Sequence, residues 1–268
     1  MGELADTGNE AIIAEIDGPV GRLTIARPDR HNALDTAMWR AIPQAVGGLE
    51  AASNVRVILV RGAGDRAFSA GADISEFDTV RATADTSRAY DALNEAAFSA
   101  LRNSPLPSVA LIHGICFGGG LALAAACDLR IGAQTSLYAI PAARLGLAYP
   151  HDSLAHLVRL IGPAAAKQLL FTAARLDARQ AYIMGLLSDV VEDGNLDAHG
   201  ETLCAQIAAN APLTIRAAKF VIEQAAQNPS VVDMGKISAL ADICFDSQDY
   251  AEGRRAFKEK RQPVFRGE

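Results

Sequence analysis

The stretch from residue 103 to 127 constrains the fold most, because it contains no Asp, Glu, Lys or Arg. An uncharged run of this length approaches the roughly 20 apolar residues that cross a membrane. Two prolines, Gly114 and the triplet Gly118-Gly119-Gly120 interrupt it, however, and such residues break a continuous helix. The pattern instead predicts a buried strand over 107–112, then a glycine loop, then an alanine-rich helix to about Cys127. We therefore expect a globular protein with no membrane span.

Strand and helix patterns alternate along the first 150 residues, which indicates an α/β core. The turn Asp17-Gly18-Pro19 lies between two β-branched runs and predicts a hairpin. Asp35 is a candidate N-cap for the helix that follows. The predicted strands lie at about 11–16, 20–25, 55–60, 107–112, 129–131 and 137–138, and the predicted helices at about 35–52 and 84–102.

From about residue 152 the signals are almost wholly helical. The candidate helices span about 152–161, 163–171, 178–184, 196–210, 212–227, 231–244 and 249–260. No low-complexity linker separates this part from the core, so we expect the two to pack together. We divide the chain into an α/β core over residues 1–200 and a helical C-terminal region over residues 201–268.

The composition bears on which partners the chain takes. Half of the residues are hydrophobic, enough for a sizeable core, and 31 Asp and Glu against 25 Lys and Arg give a net charge of −6. Nucleic acids and anionic membranes bind clustered positive charge, so we expect neither as a partner. The N-terminus does not resemble a signal peptide, and four widely spaced cysteines form no disulfide framework. These features favour the cytoplasm. No spacing of His, Cys and carboxylates indicates a metal site.

Two glycine-rich loops, Ala67–Ile74 and Gly118–Gly120, each follow a predicted buried strand. Small residues let the backbone approach a ligand and present N–H groups to it. The second loop opens a helix, whose free N–H groups and dipole suit a phosphate or a developing oxyanion. Tight turns and close helix packing also explain either loop alone. Together, however, the loops could form an oxyanion hole with two donors.

The segment from Ala67 to Gly71 can also be interpreted as a relaxed form of the nucleophile elbow of hydrolases, with Ser69 as the nucleophile. The usual pattern has Gly where this chain has Ala67. The preceding strand is also predicted to end near Val60, too early for a sharp turn from strand to helix. A serine hydrolase is thus a hypothesis that rests on Ser69 alone.

A third cluster places Tyr149, His151 and Asp152 within four residues of a loop that leads into a helix. Functional side chains gather on such loops. Asp152 is also explained as the N-cap of the helix, and His151 as an exposed loop residue. His156, on the helix itself, is explained by packing or by surface exposure.

Taken together, these segments resemble the crotonase superfamily, whose best-known members are enoyl-CoA hydratases and isomerases. The likeness covers nearly the whole chain. It is carried by Arg27–Leu34, Phe68–Ile74, His113–Gly120, Cys127-Asp128, Leu145–Leu147 and the segment from Tyr250 to Arg261. The resemblance implies a spiral of ββα units with an α-helical C-terminal trimerisation region. It also implies homotrimers, often paired as hexamers.

The resemblance further implies a coenzyme A thioester as the substrate, with no separate cofactor. By match to the family motif, the backbone N–H groups of Ala72 and Gly119 would hold the thioester oxygen and stabilise an enolate. The implied contacts to CoA are Ala70, Ala72, Asp73 and Ile74 along the adenine and pantetheine path, and Arg30 and Lys258 at the phosphates.

Three positions depart from the hydratase pattern. Hydratases of this family place one catalytic Glu two residues after the glycine triplet, where this chain has Ala122. The second Glu follows a proline, and here Pro141 is followed by Ala142. Pro150 stands where hydratases usually have a Gly whose N–H helps to hold the attacking water, and proline has no N–H. Each acid/base group typically contributes about 10²–10⁴-fold to the rate, so we expect standard hydration to be weak.

Other chemistry could replace hydration. The stretch Leu145–Tyr149 is similar to a Leu-Gly-x-x-Tyr stretch of methylmalonyl-CoA decarboxylases in the same superfamily, although that family has His where this chain has Ala72. There a tyrosine lies near the departing carboxylate. Tyr149, with His151 as proton donor, is our candidate for such chemistry. A non-catalytic acyl-CoA-binding protein is the alternative, and the two alanines at the Glu positions favour it.

Overall fold

The computed structural model describes residues 2–226 and 231–268. The strands are β1 (Glu3–Ala5), β2 (Ile12–Asp17), β3 (Val20–Ile25), β4 (Val57–Gly62), β5 (Ala67–Ser69), β6 (Ser108–Ile112), β7 (Ile115–Phe117), β8 (Leu129–Ala133), β9 (Leu137–Ala139), β10 (Leu176–Asp177) and β11 (Asp189–Val191). The helices are α1 (Thr36–Ala51), α2 (Phe77–Val80), α3 (Ala84–Arg102), α4 (Gly119–Ala125), α5 (Ala142–Leu145), α6 (His151–Thr172), α7 (Ala178–Ile183), α8 (Leu196–Ala208), α9 (Pro212–Ala225), α10 (Met234–Asp246) and α11 (Gln248–Glu259).

The large sheet has seven strands in the order β1-β2-β3-β4-β6-β8-β11. The predicted hairpin is confirmed, because β2 and β3 pair antiparallel around the turn at residues 17–20. From β3 onward every pairing in this sheet is parallel. The small sheet has the order β10-β9-β7-β5, and its strands β5, β7 and β9 are also parallel.

A repeated unit builds both sheets at once. The strand pairs β4 and β5, β6 and β7, and β8 and β9 each place their first strand in the large sheet and their second in the small sheet. Helices follow each pair, so each repeat advances both sheets by one parallel strand. This is the spiral of ββα units that the resemblance implied.

Both faces of the large sheet are buried, as alternation along the strands requires. Ile58 and Val60 of β4 belong to the main core beneath α1 and α3, whereas Leu59 points to the opposite face. There Leu196 and Cys204 of α8 cover it. Strands β4 and β6 are therefore mostly apolar, which explains why their sequences were readable as buried strands.

The sequence predictions of helices at 35–52 and 84–102 are confirmed as α1 and α3. Asp35 caps α1 by accepting a hydrogen bond from Met38 N at 2.9 Å. The helices predicted at 152–161 and 163–171 form the two halves of α6, which is interrupted by non-helical backbone at Gly162. The end of the helix predicted over 212–227 lies outside the described residues.

The expectation of an almost wholly helical chain after residue 152 was wrong at two places. Strand β10 pairs with β9, and β11 pairs with β8. Each of these strands has three residues or fewer, which is too short to show an alternation of apolar and polar residues. Each forms by pairing with a strand at the edge of its sheet. The three-residue strands β5 and β7 were not predicted either.

The C-terminal helices attach to the core through a few polar contacts. Lys219 of α9 bonds to Asp128 at 2.8 Å, and Arg56 donates to Phe265 O at 2.7 Å. The division predicted at residue 200 falls inside α8, and that division stays a prediction. Among the helices of the described chain, none has both the length and the apolar content to cross a membrane.

Candidate active site

Parallel pairing in the small sheet brings three loops to one edge. Strands β5, β7 and β9 run in the same direction, and so their carboxyl ends, at Ser69, Phe117 and Ala139, lie side by side. The loops that leave these ends carry both predicted glycine-rich segments and the start of α5. Ligands of parallel sheets bind at the carboxyl ends of the strands. The sequence alone did not show which strands pair, so it did not show that these loops meet.

The two glycine-rich loops touch each other at this edge. A Cβ atom on Gly71 would lie 2.7 Å from Phe117 O and 3.0 Å from Gly119 N. A Cβ atom on Gly119 would lie 3.7 Å from Ala72 N. Within the described ranges, neither Ala72 N nor Gly119 N donates a backbone hydrogen bond. Two backbone N–H groups without a partner in these ranges therefore lie close together, and their role in holding a thioester oxygen stays a prediction.

Asn32 fixes the loop that carries Ala72. Its side chain is fully buried, accepts a hydrogen bond from Arg27 N at 3.0 Å, and donates to Ala63 O and Ala67 O at 3.0 and 2.7 Å. Its φ of 56° lies in the left-handed region, which asparagine tolerates better than most residues. The Arg27–Leu34 motif thus serves to position the neighbouring loop.

Ser69 has a structural role. It is fully buried, its hydroxyl donates to Asn32 O at 2.7 Å, and it accepts from Gly71 N at 3.1 Å. The hydroxyl thus holds the loop and has no histidine partner among the described residues. This geometry speaks against the hypothesis of a serine hydrolase.

A pocket opens where the loops meet. On one wall it brings together five of the predicted site residues. They are Ala70, Ala72, Ile74, Gly119 and Tyr149. Residues of α2 and α3 also line the pocket, as do Ala142, Leu147 and Pro150.

Tyr149 places a phenol in this pocket. Its hydroxyl donates to Gly118 O at 3.3 Å, next to the two free N–H groups. Burial raises the pKa of Tyr149 well above 10, so the phenol keeps its proton at neutral pH. It can therefore donate a hydrogen bond or a proton, but it is a poor base.

His151 and Asp73 do not line the pocket. The His151 side chain is 90% exposed, and its Nδ1 lies 3.0 Å from Asp152 Oδ1. The Asp73 side chain instead accepts from Ser75 N at 3.0 Å and pairs with Arg27 at 2.8 Å. The Ser75 hydrogen bond, with Arg27, lowers the pKa of Asp73. Both residues therefore stand outside the cluster that the sequence suggested.

Arg30 and Lys258 also lie apart from the pocket. Arg30 is exposed on a short 3₁₀ turn, Pro28–Arg30, and Lys258 is exposed on α11 beside a separate apolar cleft. Their predicted contacts with CoA phosphates stay predictions.

The two alanines at the expected Glu positions face the same region. Ala142 lines the pocket itself. A small adjoining cavity is lined by Ala122, Ser153 and His156, among others. Tyr149 lines both this cavity and the pocket. His156 Nε2 lies 2.7 Å from Ala125 O, and Nδ1 has no hydrogen-bond partner in the part of the chain described. Burial lowers the pKa of His156, so its neutral form is favoured.

Four polar residues that line the pocket were not predicted: Arg81, Asp91, Asn94 and Ser153. Asp91 and Asn94 are three residues apart on α3 and so share a helix face. That spacing was visible in the sequence, but nothing in it showed that this face turns toward the glycine loops. Among the described residues, Asp91 is the one carboxylate that lines the pocket, and no cluster of His, Cys, Asp and Glu is placed to hold a metal ion.

The fold and the site together define a member of the crotonase superfamily, and comparison with known proteins agrees. A family model described as enoyl-CoA hydratase/isomerase matches residues 15–268. The chain belongs to this family. A solved structure of an enoyl-CoA hydratase/carnithine racemase from Magnetospirillum magneticum is similar, with a TM-score of 0.91 and 39% identity over 97% of each chain.

Two curated relatives are similar over nearly their whole length. The short-chain-enoyl-CoA hydratase of Clostridium acetobutylicum is 32% identical, over 94% of this chain and 95% of its own. The crotonyl-CoA hydratase of Syntrophomonas wolfei is also 32% identical, over 96% of this chain and 98% of its own.

Proposed function

We propose that this chain binds an acyl-CoA thioester whose carbonyl oxygen accepts hydrogen bonds from Ala72 N and Gly119 N. The observation that carries the proposal is the close approach of two N–H groups without backbone partners, on two residues that line one pocket. Two such donors stabilise the negative charge that develops on a thioester oxygen when an enolate forms. Family membership supports the thioester as the substrate class.

The reaction itself is proposed to differ from efficient hydration. Hydration needs a carboxylate to activate water and an acid to protonate the α-carbon, and the positions expected to supply them hold Ala122 and Ala142. The carboxylate that does line the pocket, Asp91, is paired with Arg81 at 2.6 Å. A pocket that stabilises an enolate but lacks a free carboxylate suits a reaction in which the enolate forms without general-base catalysis.

Decarboxylation is the second candidate, favoured by the position of Tyr149. In that reaction the bond between the α-carbon and a carboxylate breaks, CO₂ leaves, and the electron pair enters the enolate. A proton then adds to the α-carbon. The protonated Tyr149 phenol, close to the oxyanion hole, could direct the carboxylate or supply that proton.

We also propose that the chain assembles as a homotrimer or a hexamer. Helices α9 and α10 have no buried residues in the isolated chain. Large apolar side chains stand exposed there and on α11, including Phe257 at 86%, Phe245 at 64% and Ile222 at 65%. Apolar patches of this kind mark contact surfaces.

The function is tested by adding acyl-CoA thioesters and free CoA separately, while thermal unfolding and product masses are followed. We expect thioesters to raise the unfolding temperature more than free CoA does. Crotonyl-CoA hydration should be at least about 10²-fold slower than that of the Syntrophomonas wolfei relative assayed alongside. If no thioester shifts unfolding, the proposed substrate class is wrong. Hydration at the relative's rate would refute the proposed loss of hydratase chemistry.

A further inference from the structure

One side of the pocket, formed in part by α3, holds buried polar groups without partners. Arg81 Nε and Asn94 Nδ2 are both buried, and neither has an acceptor within 3.5 Å among the described residues, although the Asn94 side chain lies near the Tyr90 hydroxyl. Both residues line the pocket. Buried polar groups are nearly always hydrogen-bonded, so an unpaired one needs an explanation. Here both groups are donors, and therefore what they lack is an acceptor.

The Arg81 guanidinium is held in place by its surroundings. Its side chain is 13% exposed, and Nη2 donates to Asp91 Oδ1 at 2.6 Å. Its guanidinium carbon lies 4.8 Å from the centre of the Tyr90 ring and 5.4 Å from that of Phe77. Stacking and one ion pair fix the plane of the group. Asp91 takes up one edge of the guanidinium and leaves the Nε–H without an acceptor.

Asn94 lies one helical turn after Asp91 on α3, which places it on the same face of the helix. Both residues that carry the unpaired donors therefore line the same pocket. An alkyl chain in this space would leave both donors unsatisfied, and their burial would count against binding. A carboxylate has two oxygens and can accept from both donors at once.

We propose that Arg81 and Asn94 form a subsite for a carboxylate at the far end of the acyl group. This inference rests on the proposed function and deepens it, since it names the substrate class as CoA monothioesters of dicarboxylic acids. Hydrogen bonds to charged groups are stronger than those between neutral groups. The carboxylate should therefore bind better than a neutral group of the same shape.

The experiment measures binding by calorimetry with pairs of thioesters of equal carbon count. The pairs are malonyl- and propionyl-CoA, succinyl- and butyryl-CoA, and glutaryl- and valeryl-CoA. A neutral probe, the amide of glutaryl-CoA at its free carboxyl, has the shape of the carboxylate without the charge. We expect the carboxylated member of at least one pair to bind about 10- to 100-fold more tightly than its partner.

Variants assign that preference to the wall. Arg81→Gln and Asn94→Leu should each reduce the preference, measured as the ratio of the affinities for glutaryl-CoA and valeryl-CoA. Arg88→Gln is the matched control. Arg88 lies on α3 with Asn94, but its side chain is 69% exposed and pairs only with Asp85 among the described residues. This variant should keep the full preference. Thermal unfolding of each variant shows whether it is folded, and Asn94→Leu carries the test if Arg81→Gln does not fold.

The outcomes separate this inference from the proposed function. Equal binding within every pair, with clear binding of the uncarboxylated thioesters, overturns the subsite and leaves the proposed function standing. Equal affinity for glutaryl-CoA and its amide overturns the carboxylate as the preferred group. A preference that survives both variants overturns the assignment to Arg81 and Asn94. If no thioester binds at all, the proposed function and the subsite both fail.

Discussion

At the scale of single residues, Gly71 decides whether the two loops can meet. Its φ of 92° lies in the left-handed region, and a Cβ atom would lie 2.7 Å from Phe117 O. Contacts that short do not occur between real atoms of these types. Gly146 also has a left-handed φ, 68°, but a Cβ atom there would have nothing within 4 Å. A comparison of the two positions therefore separates the cost of a strained backbone from the cost of a crowded Cβ atom.

Replacing each of these glycines by alanine should give different losses of stability. Gly146→Ala should lower the free energy of unfolding by about 1–2 kcal/mol, because only the left-handed backbone is strained. Gly71→Ala should lower it by about 1–3 kcal/mol more, because crowding is added to that strain. Chemical denaturation of both variants measures the difference. Equal losses would contradict the close approach of the loops.

His156 gives the fold a pH dependence whose sign follows from its environment. Burial lowers its folded pKa below the ordinary 6.5, with the hydrogen bond to Ala125 O acting in the opposite direction. Below pH 6.5 the unfolded chain takes up a proton that the folded chain resists. The unfolded state then binds more protons, so stability falls as the pH falls through this window.

The prediction concerns the His156→Gln variant, whose amide can still donate to Ala125 O. Wild-type protein should lose more free energy of unfolding between pH 7 and pH 5 than this variant loses. Denaturation at both pH values gives the comparison. An identical loss in the two proteins would mean that the buried imidazole does not resist protonation.

Tyr149 and His151 are also distinguished at this scale. Tyr149→Phe removes the phenol hydroxyl that bonds to Gly118 O in the pocket. It should lower turnover of the best thioester by about tenfold or more. His151→Ala should change turnover by less than about twofold, because its side chain is 90% exposed. Steady-state kinetics on both variants test this. Equal losses of turnover in the two variants would mean that either both residues take part in the mechanism or neither does.

At the scale of elements, polar side chains join segments that are distant in the chain. Asn32, after β3, bonds to backbone atoms near the end of β4 and in β5. Asp128, before β8, accepts from Ser108 N of β6 at 2.7 Å and from Lys219 of α9 at 2.8 Å. Both lie in segments on which the resemblance rested, and in the structure both serve as positioning residues.

Asn32→Ala should therefore destabilise the fold strongly. It leaves three backbone groups without a partner and puts alanine at a φ of 56°. We expect a loss of about 3 kcal/mol or more in the free energy of unfolding. Asn54→Ala is the control, since exposed Asn54 makes one hydrogen bond to Gly18 O, and it should cost about 1 kcal/mol or less. Similar losses would refute the bridging role of Asn32.

Long elements were predictable and short ones were not, for a physical reason. Helices α1 and α3 carry caps and a continuous apolar face, and β4 and β6 are buried runs, so local sequence marks them. Strands β5 and β7 have three residues each and form through pairing with each other. Such pairing depends on chain segments far apart in sequence, and no local pattern encodes it.

The same contrast holds for the site. The two glycine-rich loops were predictable as a candidate site because glycine and small residues mark where a backbone must approach closely. The assignment of the two donors to Ala72 and Gly119 came from the family resemblance, and their role stays a prediction. The polar wall of Arg81 and Asn94 was not predictable, because ordinary charged and polar residues on a helix do not show which face meets the pocket. His151 was grouped with Tyr149 by proximity in sequence, but α6 begins at His151 and turns its side chain to solvent.

At the scale of the whole molecule, the C-terminal helices present an apolar surface that a single chain leaves open. Phe257 on α11 is 86% exposed. If this surface joins copies of the chain, Phe257→Glu should lower the mass in solution from three or six chains toward one. Light scattering coupled to gel filtration measures that mass. A wild-type mass of one chain would refute the proposed oligomer.

The central claim is that Ala72 N and Gly119 N hold the thioester oxygen, and the carbonyl stretch of a bound thioester labelled with ¹³C at that carbon tests it most directly. Gly119 is the first residue of α4, a position where proline is tolerated, so Gly119→Pro removes the N–H. Gly119→Ala keeps the N–H while adding a Cβ that crowds the Trp39 ring at 3.1 Å, as proline would. With butyryl-CoA, the stretch should move to lower wavenumber on binding to wild type and to the alanine variant, and much less with the proline variant. A carbonyl stretch in the wild-type complex unchanged from that of free butyryl-CoA would contradict the account.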